Sequence, residues 1–293
     1  MICSRMSIHP PRFAASFNGL HIHGPVVPDR HKKGRGAVSN RAGRFEATST
    51  DAFDDGWGGD ADPVAALATE VSFDQSRSII SNVPSPDMPF DRSINPYRGC
   101  EHGCVYCFAR PTHAHLGMSP GLDFETRLTA KPQAADLLAR ELARPGYRVA
   151  PIALGTNTDP YQPIERKFRI MRGVIETFAR FNHPVTILTK SHLVTRDLDL
   201  LAPMAERNLV RAMLSITTCD KGLARAMEPR ASAPGRRFDA VRALSDAGIP
   251  TGVMTAPLIP GLNDDELETL VERAKDAGAA FVGYTVIRLP LAA

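Results

Sequence analysis

From Asp91 to the end of the chain, short apolar segments rich in β-branched residues alternate with amphipathic segments, and this alternation constrains the fold more than any other feature of the sequence. The segments typical of strands are 92–96, 150–156, 184–190, 210–216, 250–256 and 280–287. The segments typical of helices are 131–143, 165–181, 195–206, 236–247 and 264–277. This order predicts an α/β fold with a parallel sheet and right-handed crossovers, as a full barrel, a partial barrel or a doubly wound sheet.

The first 85 residues differ from the rest in composition. They are rich in Gly, Pro, Ser, Arg and Asp and have no sustained period, so we expect a largely irregular or wrapping extension over residues 1–85 and a core domain over residues 86–293. The chain ends at Ala293, directly after the sixth predicted strand, and we therefore expect the core to lack its final helix.

Composition and charge exclude some classes of protein. Apolar residues make up 43% of the chain, which is normal for a globular protein, and no apolar run is long enough to span a membrane. The N-terminus has no apolar core of the kind found in secretory signal peptides, so we expect a cytoplasmic protein. The net charge of +3 neither demands nor excludes a nucleic-acid partner.

Three of the five cysteines, Cys100, Cys104 and Cys107, form a C-x₃-C-x₂-C motif. An odd number of cysteines clustered in this way does not suit disulfide pairing and favours a metal or cluster site. Thiolates bind both iron–sulfur clusters and zinc, but a closed zinc site needs four ligands, whereas three cysteines leave one iron of a four-iron cube open. Zinc remains an alternative, with a fourth ligand from His102, His113 or His115.

Polar residues lie at the carboxyl ends of three of the predicted strands, where parallel sheets usually place their chemistry. They are Thr156, Asn157, Thr158, Asp159, Lys190 and Ser215.

The cysteine motif, with Tyr106 just before its last cysteine, resembles the signature of the radical S-adenosylmethionine superfamily. The segment SINPYRGCEHGCVYCFARPTHAHLG is similar to the branch related to spore photoproduct lyase, also labelled DNA repair photolyase-like, and within it to a bacterial subgroup whose substrate is not established. The resemblance covers about residues 75–290.

This resemblance implies a partial (β/α)₆ barrel and an enzyme in which Cys100, Cys104 and Cys107 hold a [4Fe-4S] cluster. It further implies that the open iron binds the amino and carboxylate groups of S-adenosylmethionine. One electron, from a donor such as flavodoxin or ferredoxin, would then cleave the cofactor to a 5′-deoxyadenosyl radical that abstracts hydrogen from a substrate.

The resemblance also suggests where the cofactor is contacted. We expect Thr158 and Asp159 near its amino group, Lys190 near its carboxylate, and Ser215 near its ribose, with Thr217 as the alternative to Ser215. A pair between Glu228 and Arg230 is expected to clamp the carboxylate or hold its loop, and Val286 to flank the adenine. The full set of expected cofactor-binding residues is Tyr106, Thr156, Asn157, Thr158, Asp159, Lys190, Ser215, Glu228, Arg230 and Val286.

The reaction itself is left open by the sequence. A lyase acting on a nucleic-acid lesion is one candidate, supported by the resemblance and by the arginines between Arg225 and Arg237. One departure weakens it: Thr156 stands where photoproduct lyase carries its hydrogen-donating cysteine, although Cys219 could substitute. The alternatives are a radical enzyme acting on a small molecule, RNA or protein, and a zinc or iron–sulfur binding protein without catalysis.

Overall fold

The computed structural model describes residues 15–17, 20–22, 32–43, 45, 67–86 and 88–288. The strands are β1 Ala15–Phe17, β2 Leu20–Ile22, β3 Glu70–Phe73, β4 Ile80–Asn82, β5 Arg92–Ile94, β6 Tyr97–Arg98, β7 Arg127–Ala130, β8 Ile152–Leu154, β9 Val185–Thr189, β10 Val210–Ser215, β11 Thr251–Leu258 and β12 Phe281–Val286. The α-helices are α1 Asp123–Thr126, α2 Ala134–Leu142, α3 Glu165–Phe168, α4 Ile170–Arg180, α5 Leu198–Glu206, α6 Lys221–Met227, α7 Pro234–Asp246 and α8 Leu267–Asp276. Two 3₁₀ helices span Arg110–Leu116 and His192–Asp197.

The main sheet has the order β4-β5-β8-β9-β10-β11-β12. The strands from β5 to β12 in this order are parallel and follow the order of the chain, while β4 joins β5 in antiparallel orientation. A doubly wound sheet would reverse its strand order at a switch point, and this sheet does not. The prediction of an α/β fold of the partial-barrel kind is therefore confirmed.

The helices pack on this sheet through apolar stripes that the sequence periodicity predicts. In α4, Met171, Val174 and Phe178 are fully buried at helical spacing. In β9, Val185 and Ile187 enter the same apolar cluster, as expected for alternate residues on one face of a strand. Each large apolar side chain buried in this way contributes about 1.5–3 kcal/mol to stability.

One helix differs from the prediction. The segment 165–181 is predicted as a single helix, but it forms α3 and α4, which are separated at Arg169 with φ of 51°. The Glu165 carboxylate accepts a hydrogen bond from the backbone N–H of Met171 at 3.2 Å. This contact satisfies an N–H at the start of α4 that has no helical partner, and it turns Glu165 inward.

A second sheet, of order β3-β7-β6, lies at the start of the cysteine loop. Strand β3 pairs parallel to β7, and β7 pairs antiparallel to β6, which ends one residue before Gly99. Strands β3 and β4 both lie in the region predicted to be largely irregular, and the partner of each is a strand of the core. In the part of the chain that the structure describes, no helix is long and apolar enough to cross a membrane.

Candidate functional site

One pocket brings together the cysteine loop and the carboxyl ends of β8, β9 and β10. Its lining residues are Cys100, His102, Cys104, Cys107, Phe108, Gly155, Thr156, Asn157, Thr158, Asp159, Leu188, Thr189, Lys190 and Ser215. The three cysteines and six of the ten expected cofactor-binding residues are in this set. The polar strand ends and the motif therefore meet in space, as the parallel-sheet prediction requires.

The cysteine loop turns sharply and is hydrogen-bonded at its ends. Gly99 and Gly103 have φ of 74° and 67°, a conformation that residues with a side chain rarely adopt. The backbone N–H of Cys100 donates to the Phe124 carbonyl at 2.8 Å, and Arg110 donates to the Cys104 carbonyl at 2.9 Å. The loop is thus held independently of any bound group.

The three thiols of the motif share the same direction of pKa shift. Burial raises the pKa of Cys100, Cys104 and Cys107, that of Cys104 to about 12. Soft metal centres displace the protons of such thiols on binding. Binding at this site is therefore expected to release protons.

Asp159 organises the strand ends around the pocket. Its Oδ1 accepts from the Thr189 hydroxyl at 2.6 Å, and its Oδ2 accepts from the backbone N–H of Lys190 at 2.7 Å. His102 Nδ1 lies 3.3 Å from Oδ2 but is not aligned for a hydrogen bond. Burial opposes ionisation of Asp159, but His102 and these hydrogen bonds outweigh it and lower the pKa to about 2. Asp159 is therefore a carboxylate at neutral pH.

Asn95 also positions the pocket, and its role was not foreseen. It follows β5 directly, and its Oδ1 accepts from the backbone N–H groups of Asn157 and Thr158 at 3.1 and 3.3 Å. Its Nδ2 donates to Thr156 Oγ1 at 3.4 Å. The sequence signal that could have indicated this role is the position of Asn95 at the carboxyl end of a predicted strand, just before Pro96.

Tyr106 and Glu228 lie behind the pocket wall. The Tyr106 hydroxyl and the Arg237 guanidinium both donate to the fully buried Glu228 carboxylate, and the Thr217 hydroxyl donates to the same group at 3.1 Å. Burial favours the neutral acid, but Arg237 and Lys190 together hold the pKa of Glu228 below its usual value. The Lys190 ammonium lies 5.8 Å from the centre of the Tyr106 ring and faces the pocket.

The prediction that Glu228 pairs with Arg230 is wrong, because the two residues have other partners. Arg230 donates instead to Glu101 at 2.9 Å, while Glu228 pairs with Arg237. The loop between them turns Arg230 toward the cysteine loop, where its backbone N–H donates to the His102 carbonyl at 3.1 Å. Arg230 thus fastens this loop to the cysteine motif rather than to Glu228.

Of two other residues expected to contact the cofactor, one lines the pocket and the other does not. Ser215 lines the pocket and donates to the Ala256 carbonyl at 3.3 Å. Val286 ends the outermost strand, β12, with 49% of its surface exposed, and lies outside the pocket lining. The hydroxyl of Thr217, the alternative to Ser215, donates its hydrogen bond to Glu228.

The remaining candidate ligands and thiols also lie outside the pocket lining. His113 is buried, and its Nε2 lies 3.0 Å from the Arg127 carbonyl. His115 contacts the ring of Phe45 with centroids 5.1 Å apart. The backbone N–H of Cys219 donates to Glu266 at 2.6 Å, which places this cysteine beyond β10 on the side of α8.

The donor set fits an iron–sulfur cube. Three thiols face one pocket beside a lysine, and no fourth cysteine among the described residues lines it. Among the described residues, no three His, Cys, Asp or Glu side chains converge on a single metal ion, whereas in a cube each cysteine binds a different iron. Cys100, Cys104 and Cys107 are the residues that would hold such a cluster.

Residues 94–274 match the sequence profile of the Radical SAM superfamily, and the chain belongs to this superfamily. Its members use a [4Fe-4S] cluster and S-adenosylmethionine. The match runs from the last residue of β5 into α8 and so contains the cysteine loop and all strand ends of the pocket.

Similar sequences occur in bacteria and archaea. An uncharacterized protein of Mycobacterium tuberculosis is 41% identical over 218 residues, which are 73% of this chain and 64% of that protein. An uncharacterized protein of Methanocaldococcus jannaschii is 28% identical over 173 residues, covering 59% of this chain and 62% of that protein. The chain thus matches less than two thirds of the length of these relatives.

Structures of spore photoproduct lyase share the fold. One variant has a TM-score of 0.52 and 20% identity, covering 70% of this chain and 56% of the lyase. A double mutant with bound AdoMet and dinucleoside spore photoproduct has a TM-score of 0.54 and 18% identity, covering 74% of this chain and 61% of the lyase. At this level of identity the likeness concerns the fold alone.

Proposed function

We propose that this chain binds a [4Fe-4S] cluster through Cys100, Cys104 and Cys107 and reductively cleaves S-adenosylmethionine, abstracting hydrogen from a substrate that is not yet identified. The observation that carries the proposal is the single pocket in which the three thiols meet the carboxyl ends of β8, β9 and β10. Superfamily membership supports the same chemistry.

When bound together and given one electron by an external donor such as flavodoxin or ferredoxin, the cluster and S-adenosylmethionine would supply a 5′-deoxyadenosyl radical and release methionine. The residues of the chain bind and orient the cofactor. Lys190 faces the pocket with an ammonium group that donates no hydrogen bond to any described residue, and it is suited to pair with the methionyl carboxylate. Ser215 is suited to the ribose.

Asp159 acts in this proposal mainly as a positioning residue. Both of its oxygens already accept hydrogen bonds from the chain. One of these bonds comes from the backbone N–H of Lys190, so Asp159 fixes the position of the lysine backbone from which the side chain extends. Its negative charge also favours the cofactor's ammonium group in the same pocket.

The test is anaerobic reconstitution with iron and sulfide, followed by reduction in the presence of S-adenosylmethionine. We expect 5′-deoxyadenosine from the wild-type chain and from Cys219→Ala, whose thiol lies outside the pocket, but not from Cys104→Ala. Failure of the wild-type chain to bind iron and sulfide, or to form 5′-deoxyadenosine, would refute the proposal.

The substrate proposal is a nucleic-acid lesion, supported by the fold shared with a lyase solved with a dinucleoside photoproduct. Thr156 lines the pocket without a thiol, and Cys219 lies outside it, so neither of these described residues is placed to return hydrogen to the product as a cysteine donor would. Deuterated lesion-containing oligonucleotides test this. Deuterium in 5′-deoxyadenosine supports the proposal, while transfer only from small molecules, RNA without lesions or peptides contradicts it.

A further inference from the structure

A segment far from the cysteines in sequence runs along the cysteine loop. Residues 35–43, which we call the N-terminal clasp, are fixed at their far end to the turn before α1. The Ser39 carbonyl accepts from the backbone N–H of Leu122 at 3.1 Å. Asn40 and Asp123 exchange two hydrogen bonds, at 2.8 and 2.9 Å.

The near end of the clasp binds a buried carboxylate. Glu125 is fully buried, and it accepts from the backbone N–H groups of Gly36 at 3.0 Å and Ala37 at 2.8 Å. Arg110 donates to the same carboxylate at 2.5 Å and to the Cys104 carbonyl at 2.9 Å. Contacts therefore run from the clasp through Glu125 and Arg110 to the backbone of a cluster-binding cysteine.

The clasp also touches the cysteine loop directly. A Cβ atom at Gly36 would lie only 1.8 Å from the carbonyl oxygen of Gly103, the residue just before Cys104. Such a contact cannot be tolerated, so the two backbones would have to separate if Gly36 carried a side chain. Only glycine allows the observed approach.

Arg35 provides a second connection. Its side chain is 1% exposed and donates to the Glu125 carbonyl at 2.8 Å and to Thr69 Oγ1 at 3.0 Å. The Thr69 hydroxyl in turn donates to Glu101 at 2.6 Å, between Cys100 and His102. A buried arginine with several acceptors holds its neighbours in a fixed geometry.

We propose that the N-terminal clasp is part of the cluster site: it positions the loop that carries Cys100 and Cys104 and retains the cluster once it is bound. The proposal rests on the cluster-binding function proposed above. Gly36, Arg35 and Glu125 are its positioning residues. The clasp contributes no ligand, and it acts through the backbone of the loop.

The test compares Gly36→Ala with Gly235→Ala, a matched control in which the added Cβ meets no atom within 4 Å. Hydrogen exchange of the cluster-free chains is measured in peptides spanning residues 98–108 and in core peptides spanning 171–188. We expect about tenfold faster exchange in the loop peptides of Gly36→Ala alone, with the core unchanged. We also expect its reconstituted form to lose iron to a chelator about tenfold faster.

Arg35→Lys serves as a second variant, because it keeps the positive charge but removes the guanidinium N–H groups that donate to several acceptors at once. Unchanged loop exchange and unchanged iron release in both variants would overturn the proposal, as would the same changes in Gly235→Ala. If the wild-type chain bound no iron and sulfide, the cluster function would fail, while the exchange comparison would still decide whether the clasp positions the loop.

Discussion

Two separate buried triads of tyrosine, glutamate and arginine occur in this molecule. In the helix-side triad, Glu165 accepts from the Tyr97 hydroxyl and from Arg196. In the pocket-side triad, Glu228 accepts from the Tyr106 hydroxyl and from Arg237. Both carboxylates are fully buried, and each takes one further donor from the chain.

The two triads differ in their balance of charge. On the helix side, Arg196 also binds Asp197, and Arg172 pairs with Asp197, Asp199 and Glu176, so the two arginines are met by four carboxylates. Burial raises the pKa of Glu165 despite its hydrogen bonds.

On the pocket side a second cation, Lys190, stands beside Glu228 and Arg237, and burial is outweighed, so that the pKa of Glu228 is lowered. The group of Glu228, Arg237 and Lys190 thus has two cations and one carboxylate, and its Lys190 ammonium faces the cofactor pocket, where the Asp159 carboxylate is a further anion. We propose that the same three residue types serve stability in one place and help to position the cofactor-binding Lys190 in the other.

The largest expected effect is on the helix side. Arg196→Ala leaves Glu165 and Asp197 buried without their shared cation. We expect the free energy of unfolding to fall by about 3 kcal/mol, the low end for a broken buried pair, because the Arg196 side chain is 20% exposed. Urea denaturation of the cluster-free chain measures this. Arg140→Ala, on the exposed face of α2, is the control and should change stability by less than about 0.5 kcal/mol.

Matched substitutions in the two carboxylates sharpen the comparison. Glu165→Gln and Glu228→Gln each replace one acceptor oxygen by a donor next to protein donors, so we expect each to lower the free energy of unfolding by about 2 kcal/mol. Only Glu228→Gln should also weaken S-adenosylmethionine binding, because it shifts Arg237 and Lys190. Equal cofactor affinity in the two folded variants would show that the triads do not differ as described.

The smallest effect is expected for Lys190→Met. The Lys190 ammonium donates no hydrogen bond to the described residues, and its repulsion with Arg237 offsets part of its attraction to Glu228, so stability should change by no more than about 1 kcal/mol. The dissociation constant for S-adenosylmethionine should rise about tenfold, or about 1.4 kcal/mol. Anaerobic equilibrium dialysis with the reconstituted chain measures it. A large loss of stability with unchanged affinity would assign Lys190 to structure instead.

Much of the fold could be predicted because its signals are local. The segment 184–190 alternates apolar residues and forms β9 at Val185–Thr189, and the stripe of Met171, Val174 and Phe178 marks α4. The break at Arg169 was not predictable, because it accompanies a hydrogen bond from the Met171 backbone N–H to the Glu165 side chain that forms only in the folded chain. Strands β3 and β4 are short and depend on pairing with the core, so they leave little periodicity.

The site divides in the same way. The cysteine spacing and the polar strand ends are visible in the sequence, and they meet in one pocket. The sequence did not predict that Arg237 is the partner of Glu228. Arg230 lies in the loop after Glu228 and Arg237 lies at the start of α7, and only the packing of the folded chain decides which arginine contacts the carboxylate. Asn95 and Glu125 were also missed, since each acts on residues far along the chain.

The most direct test of the central claim is electron–nuclear double resonance on the reduced, reconstituted chain with S-adenosylmethionine labelled with ¹⁵N in its amino group. Three thiols that leave one iron open predict a ¹⁵N hyperfine coupling to the cluster. The coupling should persist in Cys219→Ala, whose thiol lies outside the pocket. A reduced four-iron cluster that shows no coupling to the labelled amino group would contradict the account.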